Sequence, residues 1–271
     1  MVGVASRRDA PIGVFDSGLG GLTVAHAIMQ QLPAESLIYF GDTARVPYGP
    51  KSPDTVRRYS REIAAFLLEQ GVKAIVVACN TATAHALPAL EAELDVPVLG
   101  VVGPGARAAV KGTRNGHIGV IGTEGTIRSG AYVRAIVHEM PDARITALAC
   151  PLFVPLVEEG WTNHDATWSV AEEYLTPLVR DDVDTLVLGC THYPLLKGVI
   201  GETIGRSVRL IDSAEETAAD TRRMLEENDL ATTRQKGVYR FIASDDPAQF
   251  LRLGQRFLGD ALEDVEVHTF G

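Results

Sequence analysis

The sequence predicts an α/β protein of two similar lobes, each a parallel sheet flanked by helices. Two observations point there. Short apolar runs alternate with helical patterns along the chain, and parts of the first half recur in the second. The runs are Ile12–Phe15, Leu37–Phe40, Ala74–Ala78, Val96–Val102, Ile118–Ile121, Ile145–Ala149, Thr185–Leu188 and Val208–Ile211. Each is too short for a helix and many of its residues are β-branched, so each reads as a buried strand. A glycine-rich turn after the first run leads into a helix beginning near Leu22. Val56–Glu69 and Glu215–Glu227 space apolar residues three and four apart, the mark of a helix with one buried face. Tyr239–Ala243, a helix near Gln249–Phe257 and a strand near Val265–Thr269 close the series. Alternation of this kind gives parallel sheets covered on both faces.

The recurrence is specific in two places. Ile12-Gly13-Val14-Phe15-Asp16-Ser17-Gly18 resembles Ile118-Gly119-Val120-Ile121-Gly122-Thr123-Glu124-Gly125, at an offset of 106. Ala74-Ile75-Val76-Val77-Ala78-Cys79-Asn80-Thr81 resembles Thr185-Leu186-Val187-Leu188-Gly189-Cys190-Thr191-His192, at an offset of 111. Any two buried parallel strands look somewhat alike. The turn residues after each strand favour a repeat. Ligands of open α/β sheets sit beyond the carboxyl ends of the strands, and Cys79 and Cys190 each occupy such an end. Two facing lobes therefore present two cysteines across one cleft.

Composition narrows the function classes. The chain has 271 residues, 46% of them hydrophobic, and a net charge of −10. An acidic balance argues against a nucleic-acid partner, which calls for a basic face. Small anionic substrates stay open, because backbone N–H groups can hold an anion in an acidic protein. Three cysteines are too few for a disulfide framework, none are in CxxC spacing, and the histidines show no metal-ligand spacing, so no metal is expected. No uncharged apolar run is long enough to span a membrane, and MVGVASRRDAP lacks the apolar stretch of a signal peptide. A cytoplasmic protein with reduced thiols is expected.

Asp16-Ser17-Gly18-Leu19-Gly20-Gly21 lets the backbone turn sharply and aim N–H groups at an anion. It fits neither the dinucleotide fingerprint nor the phosphate-binding loop, and a plain helix-capping aspartate remains an alternative. Cys79 precedes a helix whose positive end favours thiolate, and a buried structural cysteine is the alternative. Cys190 has His192 two residues on, which suggests an activated thiol or else a core histidine. Cys150, followed by apolar residues, reads as structural. Glu158 and Glu159 face either the cleft or solvent. Asp42–Pro50 is a long loop at a strand end, a place where ligands bind. Trp161 and Trp168 read as helix packing.

Two thiols on opposite faces of one carbon suit inversion of an amino-acid stereocentre. One removes the α-proton and the other delivers a proton to the opposite face. No carrier-lysine motif for pyridoxal phosphate is present, so a two-base racemase without cofactor is permitted.

The motifs GVFDSGLGGLTV, FGDTARVPYG, VVACNTATA, ACPLFVPLVEEG, LVLGCTHYPLL and DSAEETA, in that order over residues 11–260, resemble those of bacterial glutamate racemase in the cofactor-independent aspartate/glutamate racemase superfamily. The resemblance implies a cytoplasmic homodimer that interconverts L- and D-glutamate without cofactor, supplying D-glutamate for peptidoglycan. It implies lobes formed by residues 1–102 plus 212–271 and by residues 103–211, with the active site in the cleft between them. It implies Cys79 as the base for D-glutamate and Cys190 for L-glutamate. Asp16 and His192 assist them, and Glu158 orients His192. Ser17, Tyr48, Gly49, Asn80, Thr81 and Thr191 bind the substrate, together with Asp16 and His192. Racemisation of aspartate and a non-catalytic amino-acid-binding role are the alternatives; intact Asp16, Cys79, Cys190 and His192 speak against the second.

Overall fold

The computed structural model describes residues 7–270; residues 1–6 of the N-terminal stretch considered above lie outside it, as does Gly271. The strands are β1 (Ile12–Asp16), β2 (Leu37–Gly41), β3 (Ala74–Val77), β4 (Val98–Gly100), β5 (His117–Gly122), β6 (Arg144–Ala149), β7 (Thr185–Gly189), β8 (Arg209–Ile211), β9 (Tyr239–Ala243) and β10 (Glu266–Val267). The helices are α1 (Leu22–Gln31), α2 (Pro53–Glu69), α3 (Asn80–Glu93), α4 (Val102–Gly112), α5 (Glu124–Ser129), α6 (Ala131–Glu139), α7 (Phe153–Glu158), α8 (Asp165–Arg180), α9 (Lys197–Ile204), α10 (Ser213–Glu227) and α11 (Pro247–Leu258). They build two sheets flanked by helices. One is six-stranded, in the order β10-β9-β2-β1-β3-β4, and the other four-stranded, in the order β6-β5-β7-β8. Neighbouring strands run parallel throughout.

The sequence recurrence is a structural repeat in register. Ile12 pairs with Ala74, and their counterparts Ile118 and Thr185 pair with each other. The order 2-1-3-4 in the larger sheet matches 6-5-7-8 in the smaller. Cys79 and Cys190 therefore leave equivalent strands at equivalent points.

Period-two alternation sends side chains of each strand to opposite faces. Ile12, Val14, Leu37, Tyr39, Ala74 and Val76 pack with α1, α10 and α11, while Phe15, Ile38, Phe40, Ile75 and Val77 pack with α2 and α3. In the smaller sheet Ile118, Val120 and Val187 face α4 and α6, and Ile121, Leu186 and Leu188 face α7, α8 and α9.

Two strands depart from expectation by more than one residue at an end. Val96–Val102 contains only the three-residue β4, because Val101 already has helical backbone angles and Val102 opens α4. An apolar run cannot distinguish a strand from the first turn of a buried helix. Val265–Thr269 contains only β10, which pairs at the sheet edge with the last two residues of β9. Helices α2 and α10 begin earlier than periodicity alone indicates. Ser52 caps α2 by accepting from Thr55 N–H, with Pro53 in the first turn, and Asp212 caps α10 by accepting from Ala214 N–H.

At the amino end of β3, Lys73 and Glu35 form a buried ion pair, and Lys73 also donates to the carbonyl of Arg8. Lys73→Met keeps the stem but leaves the Glu35 carboxylate buried without its cation. The expected cost is about 3–5 kcal/mol in urea denaturation at pH 7; a loss under ~1 kcal/mol contradicts this.

Candidate active site

The carboxyl ends of β1, β3, β5 and β7 converge on one narrow cavity, with the loop after β2 along one side. Ser17, Tyr48, Gly49, Cys79, Asn80 and Thr81 line it from the six-stranded side. Thr123, Val154, Cys190, Thr191 and His192 line it from the four-stranded side. The room for water centres is about 20 Å³, roughly one water.

Cys79 is the residue that caps α3, and its Sγ accepts from Ala82 N–H at 3.4 Å, with Ser17 Oγ at 3.7 Å. The expected pull of the helix end is therefore present, but it is outweighed. Burial, and then the Asp16 carboxylate, push the Cys79 thiol up to about 12. A helix terminus contributes about 0.3–1 kcal/mol, whereas one pKa unit is about 1.4 kcal/mol. Burial at Cys79 thus opposes the thiolate that its helix position favours.

Cys190 has a different neighbour. Its Sγ lies 3.9 Å from His192 Nδ1, and His192 Nε2 lies 3.2 Å from Glu158 Oε1. His192 is almost fully buried. Burial works against its cation, but the bonds to Cys190 and Glu158 prevail and hold His192 up to about 10. Glu158 thus faces the cleft side through His192, while Glu159 is exposed.

Asp16, wholly buried, ends β1 and lies near both chemistries. Gly18 N–H donates to its Oδ2 at 3.0 Å, and Thr191 Oγ1 donates to its Oδ1 at 3.5 Å. Burial pushes this carboxyl up, while His192 and the N–H groups of Gly21, Gly18 and Ser17 hold it back. The anion served by the glycine-rich turn is the side chain of Asp16 itself.

Tyr132 Oη donates to Asn80 Oδ1 at 2.7 Å, and Asn80 Nδ2 is buried with no protein acceptor. Thr81 Oγ1 lies 2.9 Å from Thr123 Oγ1 and 3.2 Å from Thr126 Oγ1, joining the two halves across the cavity wall. The site can hold a small anion between hydroxyl and amide donors with one thiol on either side.

A sequence model for Asp/Glu/hydantoin racemases matches residues 12–221. The chain is 58% identical to glutamate racemase of Geobacter metallireducens over 255 residues, 94% of each chain. The chain belongs to the Asp/Glu/hydantoin racemase family. Among solved structures of the family, a glutamate racemase isoform of Bacillus anthracis superposes with TM-score 0.92 at 41% identity, covering 97% of this chain and 98% of that one. Glutamate racemase of Francisella tularensis, solved with D-glutamate, gives TM-score 0.91 at 38% identity over 97% and 98% of the two chains.

All the residues carried over from the racemase family are together here: Asp16, Ser17, Tyr48, Gly49, Cys79, Asn80, Thr81, Cys190, Thr191 and His192 at or against the cavity, with Glu158 behind His192. Cys150 lies in the core behind it, as read. Trp168 packs on the core, but Trp161 does not: it follows α7, is 45% exposed and stacks on His164 at 4.3 Å.

Sequence reasoning missed Thr123 and Asp42. Thr123 is the repeat counterpart of Ser17, so the 106-residue offset already held the signal. Asp42, wholly buried, accepts from Tyr48 Oη, Arg45 Nε and Ser244 Oγ and so sets the loop after β2.

The glycines also permit close approach across this racemase cleft. A Cβ on Gly20 would sit 2.2 Å from Thr191 Oγ1 and 2.6 Å from His192 Nδ1. Gly20→Ala is expected to lower kcat/KM by roughly 10²-fold, since displacement of about 1 Å costs that much. Activity within three-fold of the parent contradicts the packing described.

Proposed function

We propose that this chain interconverts L- and D-glutamate by a two-base mechanism without cofactor. The observation that carries it is the placement of Cys79 and Cys190 on one cavity at equivalent points of an internal repeat, each beside a different titratable neighbour. In the L-to-D direction Cys190 thiolate takes the α-proton, and Cys79 thiol gives its proton to the opposite face of the planar carbanion. The reverse direction exchanges the roles. Cys79 as a neutral thiol is the form that acts as acid in the L-to-D direction. His192 lies 3.9 Å from Cys190 Sγ, where its ring can balance the negative charge that the sulfur carries as a base, and Glu158 holds the imidazole. Asp16 stands beside Cys79 and assists its proton transfer.

Asn80 Nδ2 and the hydroxyls of Ser17, Thr81 and Thr191 supply donors for the substrate carboxylates, and Asp16 an acceptor for its ammonium. Tyr48 and Gly49 bind from the loop, and His192 adds a donor. Room for roughly one water means that the walls must part to admit a five-carbon dicarboxylate.

The sheet memberships support a division into lobes at residues 1–102 plus 212–271 and 103–211, with the active site between them. The resemblance supports a homodimer in the cytoplasm that feeds D-glutamate to peptidoglycan. No helix among the described residues is long and apolar enough to cross a membrane. Relative turnover of L-glutamate and L-aspartate, followed by chiral chromatography, tests the substrate. Glutamate is expected to be preferred by at least about 10²-fold in kcat/KM, and equal or greater turnover of aspartate overturns it.

A further inference from the structure

The loop bearing Tyr48 and Gly49 is held by a stack that reaches beyond the cavity. Asp42 is wholly buried and needs a cation. Arg45 supplies it, Nε to Oδ2 at 2.7 Å, and pairs with Glu62 as well. The guanidinium lies between two aromatic rings, with Cζ 4.0 Å from the centroid of Tyr59 and 4.5 Å from that of Phe270. Tyr59 in turn packs on Tyr48 at 5.7 Å. Phe270 belongs to the segment after β10. That segment is fixed to the sheet by β10 itself, by Arg240 paired with both carboxylate oxygens of Glu266 at 2.8 Å, and by His268 N–H donating to Ala243. His268 stacks on Phe66 at 3.9 Å, and Phe270 lies 5.4 Å from Phe40.

We propose that Phe270 is a positioning residue for the substrate loop, acting through Arg45 and Asp42 on Tyr48. Its ring covers one face of the guanidinium, adds a cation–π contact and keeps water from the Arg45–Asp42 pair, which is therefore less screened. Asp42 in turn fixes the Tyr48 hydroxyl, and with it the wall formed by Tyr48 and Gly49. This inference rests on the racemase reading above, because the wall matters only if the cavity binds the substrate.

The test is steady-state kinetics of Phe270→Ala, Phe270→Leu and Phe270→Trp with L- and D-glutamate, beside the parent protein. The Ala and Leu variants are expected to raise KM for both enantiomers about 3- to 10-fold, with kcat changed less than about two-fold, and Trp to restore KM. Leu keeps the apolar bulk, so it carries the test if the Ala variant fails to fold. An unchanged KM in folded Leu and Ala variants overturns the proposal, as does failure of Trp to restore what Leu loses. A parent protein that racemises neither enantiomer overturns the functional reading instead.

Discussion

Cys79→Ser is expected to cut racemisation by at least about 10³-fold in both directions while the fold survives. A serine hydroxyl fills nearly the same space and can take the Ala82 N–H bond, so the cap of α3 is kept. What it lacks is acidity: an alkanol cannot cycle between base and acid at neutral pH as a thiol can, and positioned acid–base groups contribute about 10²–10⁴-fold each. Both directions suffer because in the proposed mechanism each needs one thiol as base and the other as acid. Cys190→Ser is expected to behave alike, and Cys150→Ser to stay within a few-fold of the parent. Chiral chromatography of the products, with circular dichroism as the control of folding, reads the effect. Turnover within ten-fold of the parent by folded Cys79→Ser protein contradicts the assignment.

Asp16→Asn and His192→Asn are expected to skew the two directions oppositely. Enantiomers have equal free energy, so kcat/KM must remain equal for L- and D-glutamate in every variant. The skew therefore has to appear in kcat and KM separately. His192 neighbours Cys190, the base proposed for L-glutamate, and a cationic imidazole there would favour negative charge on the sulfur. Its loss is expected to lower kcat for L-glutamate about ten-fold more than kcat for D-glutamate, on the scale of a charge-assisted bond of about 1.5–3 kcal/mol. Asp16 neighbours Cys79 and is expected to skew kcat the other way. Progress curves from each pure enantiomer measure both constants. Equal falls in kcat for the two enantiomers, in both variants, would mean that these side chains only bind substrate.

Much of this was legible in the sequence because the determinants are local. Buried parallel strands write themselves as apolar runs, which is why the strands from Ile12 to Ile211 and Tyr239–Ala243 could be placed. The equivalence of Cys79 and Cys190 was visible through the repeat, and the structure brings both strand ends onto one cavity. The thiol's protonation was not legible. A helix start is written in sequence, but the burial that overrides it at Cys79 arises only when Asp16 and the opposite half close over the sulfur. The glycine-rich turn was only partly legible: its N–H groups meet Asp16 within the motif itself, whereas Gly20 is shaped by Thr191 and His192, some 170 residues away. Asp42, Arg45 and Phe270 act through contacts between distant segments, which no spacing encodes.

The most direct test of the central claim is α-proton exchange by NMR. The protein is placed in D2O with reductant and a metal chelator, without added pyridoxal phosphate, and L- and D-glutamate are supplied in separate samples. Loss of the α-proton signal with growth of the opposite enantiomer, from either starting material, is the predicted result. Protein that is folded and yet exchanges the α-proton of neither enantiomer contradicts the two-thiol account.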